Sequence, residues 1–147
     1  MEPTADAGAR KPVFSIIVCS HRADRAAAIR AHYATLFRDH SHEFIGIPDA
    51  KSLCEGYARG LRQASGRLVI FSHDDIEFVT TDIPERLERH LADHDIVGVA
   101  GTRKLIDADW TSAGDPHVFA LVIYPAAQQD LYSIRFAGRG PLCIDRI

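Results

Sequence analysis

Leu68-Val69-Ile70-Phe71 runs without a break into Ser72-His73-Asp74-Asp75, and this abrupt change from apolar to charged residues decides how the chain is read. Four consecutive apolar residues lack the alternation of a half-exposed strand. They predict a strand covered on both faces, at the centre of a parallel sheet. Charged residues directly after such a strand lie at its carboxyl end, which is where open α/β sheets bind ligands.

The surroundings of this stretch repeat its pattern. Upstream, Val13 to Cys19 is apolar and β-branched and stops at Ser20-His21-Arg22, which predicts a first strand. From Asp24 to Arg38, Ile29, Tyr33, Leu36 and Phe37 fall at helical spacing, with Asp24 placed to cap. Glu43 to Ile47 predicts a second strand, closed by Pro48-Asp49. Ser52-Leu53-Cys54-Glu55 has the form of a capping box, and Leu53, Tyr57, Leu61 and Ala64 stripe the helix it opens. Gly66, free to take positive φ, is read as its end.

Downstream, Asp82 and Glu85 offer another capping pattern before a helix striped by Ile83, Leu87 and Leu91. Ile96 to Ala100 predicts a fourth strand, and Val118 to Tyr124 and Leu131 to Phe136 predict antiparallel or edge strands. Three strand-helix alternations give an α/β, Rossmann-like, mostly parallel sheet with flanking helices. The organisation expected is a flexible tail over 1–12 and one domain over 13–147.

Composition removes several classes. With 46% hydrophobic and 25% charged residues, the usage is globular. A formal charge of -3 supplies no pull toward phosphate backbones, so no nucleic acid partner is expected. Cys19, Cys54 and Cys143 form no CxxC pair, and the first dozen residues have no apolar stretch of the kind a signal peptide requires, so a cytoplasmic setting is expected. No apolar run approaches the roughly 20 residues of a membrane helix, and no membrane span is expected. GxGxxG, GxxxxGK[ST] and GxSxG are all absent. His40 and His42 lack the neighbours of a zinc site.

The polar residues after each predicted strand gather at one rim: Ser20, His21 and Arg22; Asp49; and His73, Asp74 and Asp75, with Glu77 beyond. Carboxylates there suit a hard divalent cation, which a pyrophosphate needs for charge neutralisation. Each also has a plainer reading. Acids after a strand start turns or cap helices, His73 suits a backbone-bonded turn as well as a ligand, and Arg22 suits a solvated surface.

Phe14-Ser15-Ile16-Ile17-Val18, then Ser52 to Gly60, then Val69 to Phe78 with its Ser72-His73-Asp74-Asp75 core, resemble in order and spacing the glycosyltransferase family 2-like group of GT-A enzymes. They are similar in particular to its StrF-type branch, where the Asp-x-Asp metal motif takes the form His-x-Asp. The resemblance spans about Val13 to Thr102. It implies a GT-A fold, a nucleotide-diphosphate sugar donor with a UDP-sugar foremost, and Mn2+ or Mg2+. It implies that Asp75 binds the metal, with His73 as a second metal residue, and that His73 and Asp74 lie beside the ribose. It further implies that Ser20, His21 and Arg22 approach base and ribose, and that Asp49 supplies an acid to the nucleotide.

Two features depart from the group. Ala58 stands where many relatives carry an asparagine, and the sequence stops at Ile147, where full glycosyltransferases continue into an acceptor-binding half. The expectation is therefore a domain truncated relative to a full glycosyltransferase. Its function is either metal-dependent transfer of a sugar to an acceptor hydroxyl or, in a non-catalytic relative, nucleotide or protein binding. Asp109, Asp115 and Asp145 are candidates for the base by residue type only, and Trp110 for stacking on a sugar. A sheet edge left uncovered favours a homodimer.

Overall fold

A computed structural model describes residues 12–78, 80–125 and 131–135. Its elements run β1 (Phe14–Cys19), α1 (Ala23–Leu36), β2 (His42–Ile47), α2 (Leu53–Leu61), β3 (Leu68–Ser72), α3 (Ile83–Leu91), β4 (Ala100–Thr102), a short 3-10 turn (Trp110–Ala113), β5 (Val118–Pro125) and β6 (Leu131–Arg135). The chain divides into two compact units, with the division between Arg89 and His90.

In the first unit β2, β1 and β3 form a three-stranded parallel sheet in the order β2-β1-β3. Phe14 pairs with His42 on one side and with Leu68 on the other, and the register continues to Cys19–Ile47 and Val18–Ser72. Period-two alternation along β1 sends its side chains to opposite faces. Phe14, Ile16 and Val18 pack with Ile29, Tyr33 and Phe37 of α1 and its end, and Ile83 and Leu87 of α3 join this cluster. Ile17 packs with Ile45, Ile47 and Ala50, against which Tyr57 of α2 lies. Helices thus cover both faces, as the sequence pattern led us to expect.

Several expectations are corrected. The centre of the sheet is β1, buried along nearly its whole length, while β3 is an edge strand among the described residues and its Phe71 is 49% exposed. An all-apolar run reports low polarity; it does not report position in the sheet. The strand expected over Ile96 to Ala100 forms instead at Ala100–Thr102 and pairs antiparallel with β5, outside the parallel sheet. Ile96, Val97 and Val99 are exposed, so this apolar run has no sheet face to cover.

Helix ends differ as well. The N-cap of α1 is Arg22, and Asp24 sits inside the first turn, paired with the Arg22 side chain. At α2 the Ser52 hydroxyl accepts from the Glu55 N–H, while the Glu55 carboxylate accepts from the Lys51 N–H, a capping box displaced by one residue. This helix ends at Leu61, before Gly66. Gly66 is required for another reason, because a Cβ there would lie 2.7 Å from the Ser15 backbone nitrogen.

In the second unit β4, β5 and β6 form an antiparallel sheet, with Gly101 opposite Phe119 and Ile123 opposite Ser133. The antiparallel strands expected in this region are present as β5 and β6. Among the described residues no helix is long and apolar enough to cross a membrane.

Candidate functional site

The strand order β2-β1-β3 reverses direction at β1: the chain moves from β1 to β2 on one side, then crosses back to β3 on the other. Such a reversal opens a crevice outside the carboxyl ends of the strands that flank it, because the connections leave in opposite directions. The residues at that point are those following β1 and those following β3.

A cleft of about 330 Å3 lies there, at the lower end of the range of ligand sites. From the β1 side it is lined by Cys19, Ser20 and His21, from the β3 side by His73 and Asp74, and by the 50–53 segment that opens α2. Four residues singled out from the sequence therefore share one cleft. The N-terminal end of α2 adds backbone N–H groups and the positive end of a helix dipole, which favours an anion.

Ser20, only 7% exposed, ties the two sides together: its Oγ donates to Asp74 Oδ2 at 2.5 Å and accepts from the Arg22 N–H at 3.2 Å. The other Asp74 oxygen, Oδ1, faces Arg25 Nη1 at 3.7 Å, and Asp75 Oδ2 faces the same nitrogen at 3.5 Å. Behind the loop, the Tyr57 hydroxyl donates to the Ser72 carbonyl at 3.0 Å, which holds the end of β3 against α2. Burial pushes the Tyr57 phenol above its ordinary value, with the Cys19 thiol and Asp74 acting the same way, so it stays a neutral donor.

The remaining candidates are placed apart from the cleft wall. Arg22 is exposed and turned to Asp24 at 2.6 Å, and this bond holds the Asp24 carboxyl down at about 2. Asp49 is engaged by Arg59 of α2, at 2.7 Å from Nη2 and 3.4 Å from Nη1, and the guanidinium lowers the Asp49 carboxyl below its usual range. The Asp75 side chain is exposed. Arg25, Arg59 and Lys51 were not singled out from the sequence. The only signal for Arg25 was its place one turn beyond the Ser20-His21-Arg22 corner.

Among the described residues no three His, Cys, Asp or Glu side chains come together as a ready metal cage. The donors present nonetheless fit a cation delivered with a ligand, since magnesium is typically held by one or two carboxylates plus substrate phosphates. The convergence of Asp74 and Asp75 on the single positive charge of Arg25 shows that both carboxylates address one point.

Of the candidate bases, Asp109 caps the 3-10 turn, with its Oδ1 accepting from the Thr111 N–H at 2.9 Å and the Thr111 hydroxyl at 2.7 Å. Asp145 and Cys143 lie outside the described residues.

Against this geometry, a family described as "Glycosyltransferase like family" matches residues 15–136, which is most of the chain. The chain belongs to this glycosyltransferase-like family. The match runs through β1, β3 and the residues of the cleft, so the rim described above is part of the glycosyltransferase-like domain itself. A nucleotide-sugar donor is the general ligand class of such domains. No match was found among curated proteins, and none among solved structures.

Proposed function

We propose that this glycosyltransferase-like domain binds a nucleotide-diphosphate sugar, a UDP-sugar foremost, at the cleft between the ends of β1 and β3, and that it does so with Mn2+ or Mg2+. The observation that carries this reading is the Ser20–Asp74 hydrogen bond, which joins the two strand ends at the reversal point of the sheet and fixes one carboxylate at the rim. Within the family, His73-Asp74-Asp75 favours the StrF-type branch. Among the described residues Cys19 and Cys54 form no disulfide, which suits a reducing cytoplasm.

In this reading Asp75 and Asp74 hold the cation, and Ser20 keeps Asp74 in one rotamer. His73 and the start of α2 line the path of the diphosphate. His21 and Asp49 lie toward the base and ribose, with Arg59 holding the Asp49 carboxylate ionised. The cation, when bound, supplies the positive charge that a departing diphosphate needs. The sugar would pass to an acceptor hydroxyl by displacement at the anomeric carbon, with a carboxylate taking the proton.

A second reading, binding without transfer, is favoured by one observation: the Asp109 carboxylate is committed to a turn, which argues against its serving as the base. Thermal shift measurements with UDP, GDP and dTDP, each with and without Mn2+, test the donor site. A rise in Tm with at least one nucleotide is expected, and no rise with any of them would contradict the proposal. Release of UDP from UDP-sugars then separates transfer from binding alone.

A further inference from the structure

We infer that Arg25 is the resident counter-cation of the Asp74–Asp75 pair, and that a divalent cation entering this rim has to displace it. This rests on the reading above that the two carboxylates take a cation. Arg25 stands in the first turn of α1, and its Nη1 lies 3.7 Å from Asp74 Oδ1 and 3.5 Å from Asp75 Oδ2. One nitrogen thus meets carboxylates from two adjacent residues, at the point where their negative charges converge.

Neighbouring arginines have closer partners, and the charge of Asp74 reaches Arg22 only behind that of Asp24. Arg22 is turned to Asp24 at 2.6 Å and Arg59 to Asp49 at 2.7 Å. The two oxygens of Asp74 are divided between partners, Oδ2 to Ser20 and Oδ1 to Arg25, so loss of Arg25 would leave Oδ1 turned outward with Asp74 still anchored. Both Arg25 contacts are longer than a hydrogen bond, which makes them Coulombic and easily exchanged. The Arg25 side chain is 43% exposed, so its guanidinium is open to water. A guanidinium held this way lowers the repulsion between two adjacent carboxylates and competes with any cation for them.

The test is Mn2+ titrated alone into the intact chain, followed by the electron paramagnetic resonance signal of free Mn2+, for the native protein and for Arg25→Gln, Arg25→Lys and Asp75→Asn. Arg25→Gln should bind Mn2+ about fivefold more tightly than the native chain, the scale of two exposed charge contacts. Arg25→Lys, which keeps the charge, should stay close to native, and Asp75→Asn should bind more weakly than either. A native affinity unchanged or weakened in Arg25→Gln, with Asp75→Asn still impaired, overturns the role of Arg25 and leaves the donor site standing. Absence of Mn2+ binding in all four proteins, with UDP present or absent, overturns both.

Discussion

Ser20 Oγ and Asp74 Oδ2 stand 2.5 Å apart, so the first residue after β1 is bonded directly to the loop after β3 across the reversal point of the sheet. Both ends of this bond are largely withdrawn from water, with the Asp74 side chain 18% exposed. A charge-assisted hydrogen bond in that setting stabilises the fold and sets the rotamer of a rim carboxylate. Ser20→Ala should therefore destabilise the chain by about 1–3 kcal/mol in urea unfolding and weaken nucleotide binding together. Full stability with weakened binding would show that the bond serves only the ligand.

At the opposite rim, Glu43 Oε1 accepts from the Ser15 hydroxyl at 2.5 Å, from the Ser65 N–H at 2.6 Å and from the Gly66 N–H at 3.2 Å. The Ser15 bond, foremost, and then the Ser65 and Gly66 donors hold the Glu43 carboxyl below its ordinary value of 4.5. A depressed carboxyl stabilises the fold above its unfolded value and loses that contribution as pH falls through the folded one. The urea midpoint of the native chain should accordingly exceed that of Glu43→Gln at pH 7, and the gap should close as pH drops below 4.5. A gap independent of pH would exclude an ionised Glu43 as its source.

The close approach of α2 to the sheet depends on Gly60, where a Cβ would run into the Ile17 side chain at the core of the second cluster. Gly60→Ala gains helix propensity of about 1 kcal/mol but overpacks the core at a cost of about 1–3 kcal/mol. Net destabilisation is expected, read as a lower urea midpoint. An increase would mean that α2 can move away from β1 freely.

Asp49 and Arg59 form an exposed pair at 2.7 Å, with the Asp49 side chain 73% exposed. Exposed ion pairs contribute about 0–1 kcal/mol. Asp49→Asn should leave Tm nearly unchanged while weakening nucleotide binding about tenfold, the scale of one lost charge-assisted contact. A changed Tm with unchanged binding would assign Asp49 to the fold alone.

What was legible in the sequence was local. The β-branched run before Ser20 and the stripes at Ile29, Tyr33 and Phe37 mark β1 and α1 because burial demands apolar residues at fixed periods. Ser20, His73 and Asp74 could be placed together because parallel strands end at one rim. Sheet order was not legible: Phe71 looked central and is exposed, at an edge among the described residues, and Ile96, Val97 and Val99 of the fourth strand expected over Ile96 to Ala100 are exposed. Arg25 and Arg59 reach their carboxylates from helices across to loops, and such contacts depend on tertiary placement that periodicity does not encode.

The most direct measurement is calorimetric titration of UDP and UDP-sugars into the chain with and without Mn2+, beside Asp75→Ala. Binding that requires Mn2+ and disappears in the variant is the predicted result. Binding that is equally strong without Mn2+ or in Asp75→Ala, or no binding under any condition, would contradict a metal-assisted donor site at this rim.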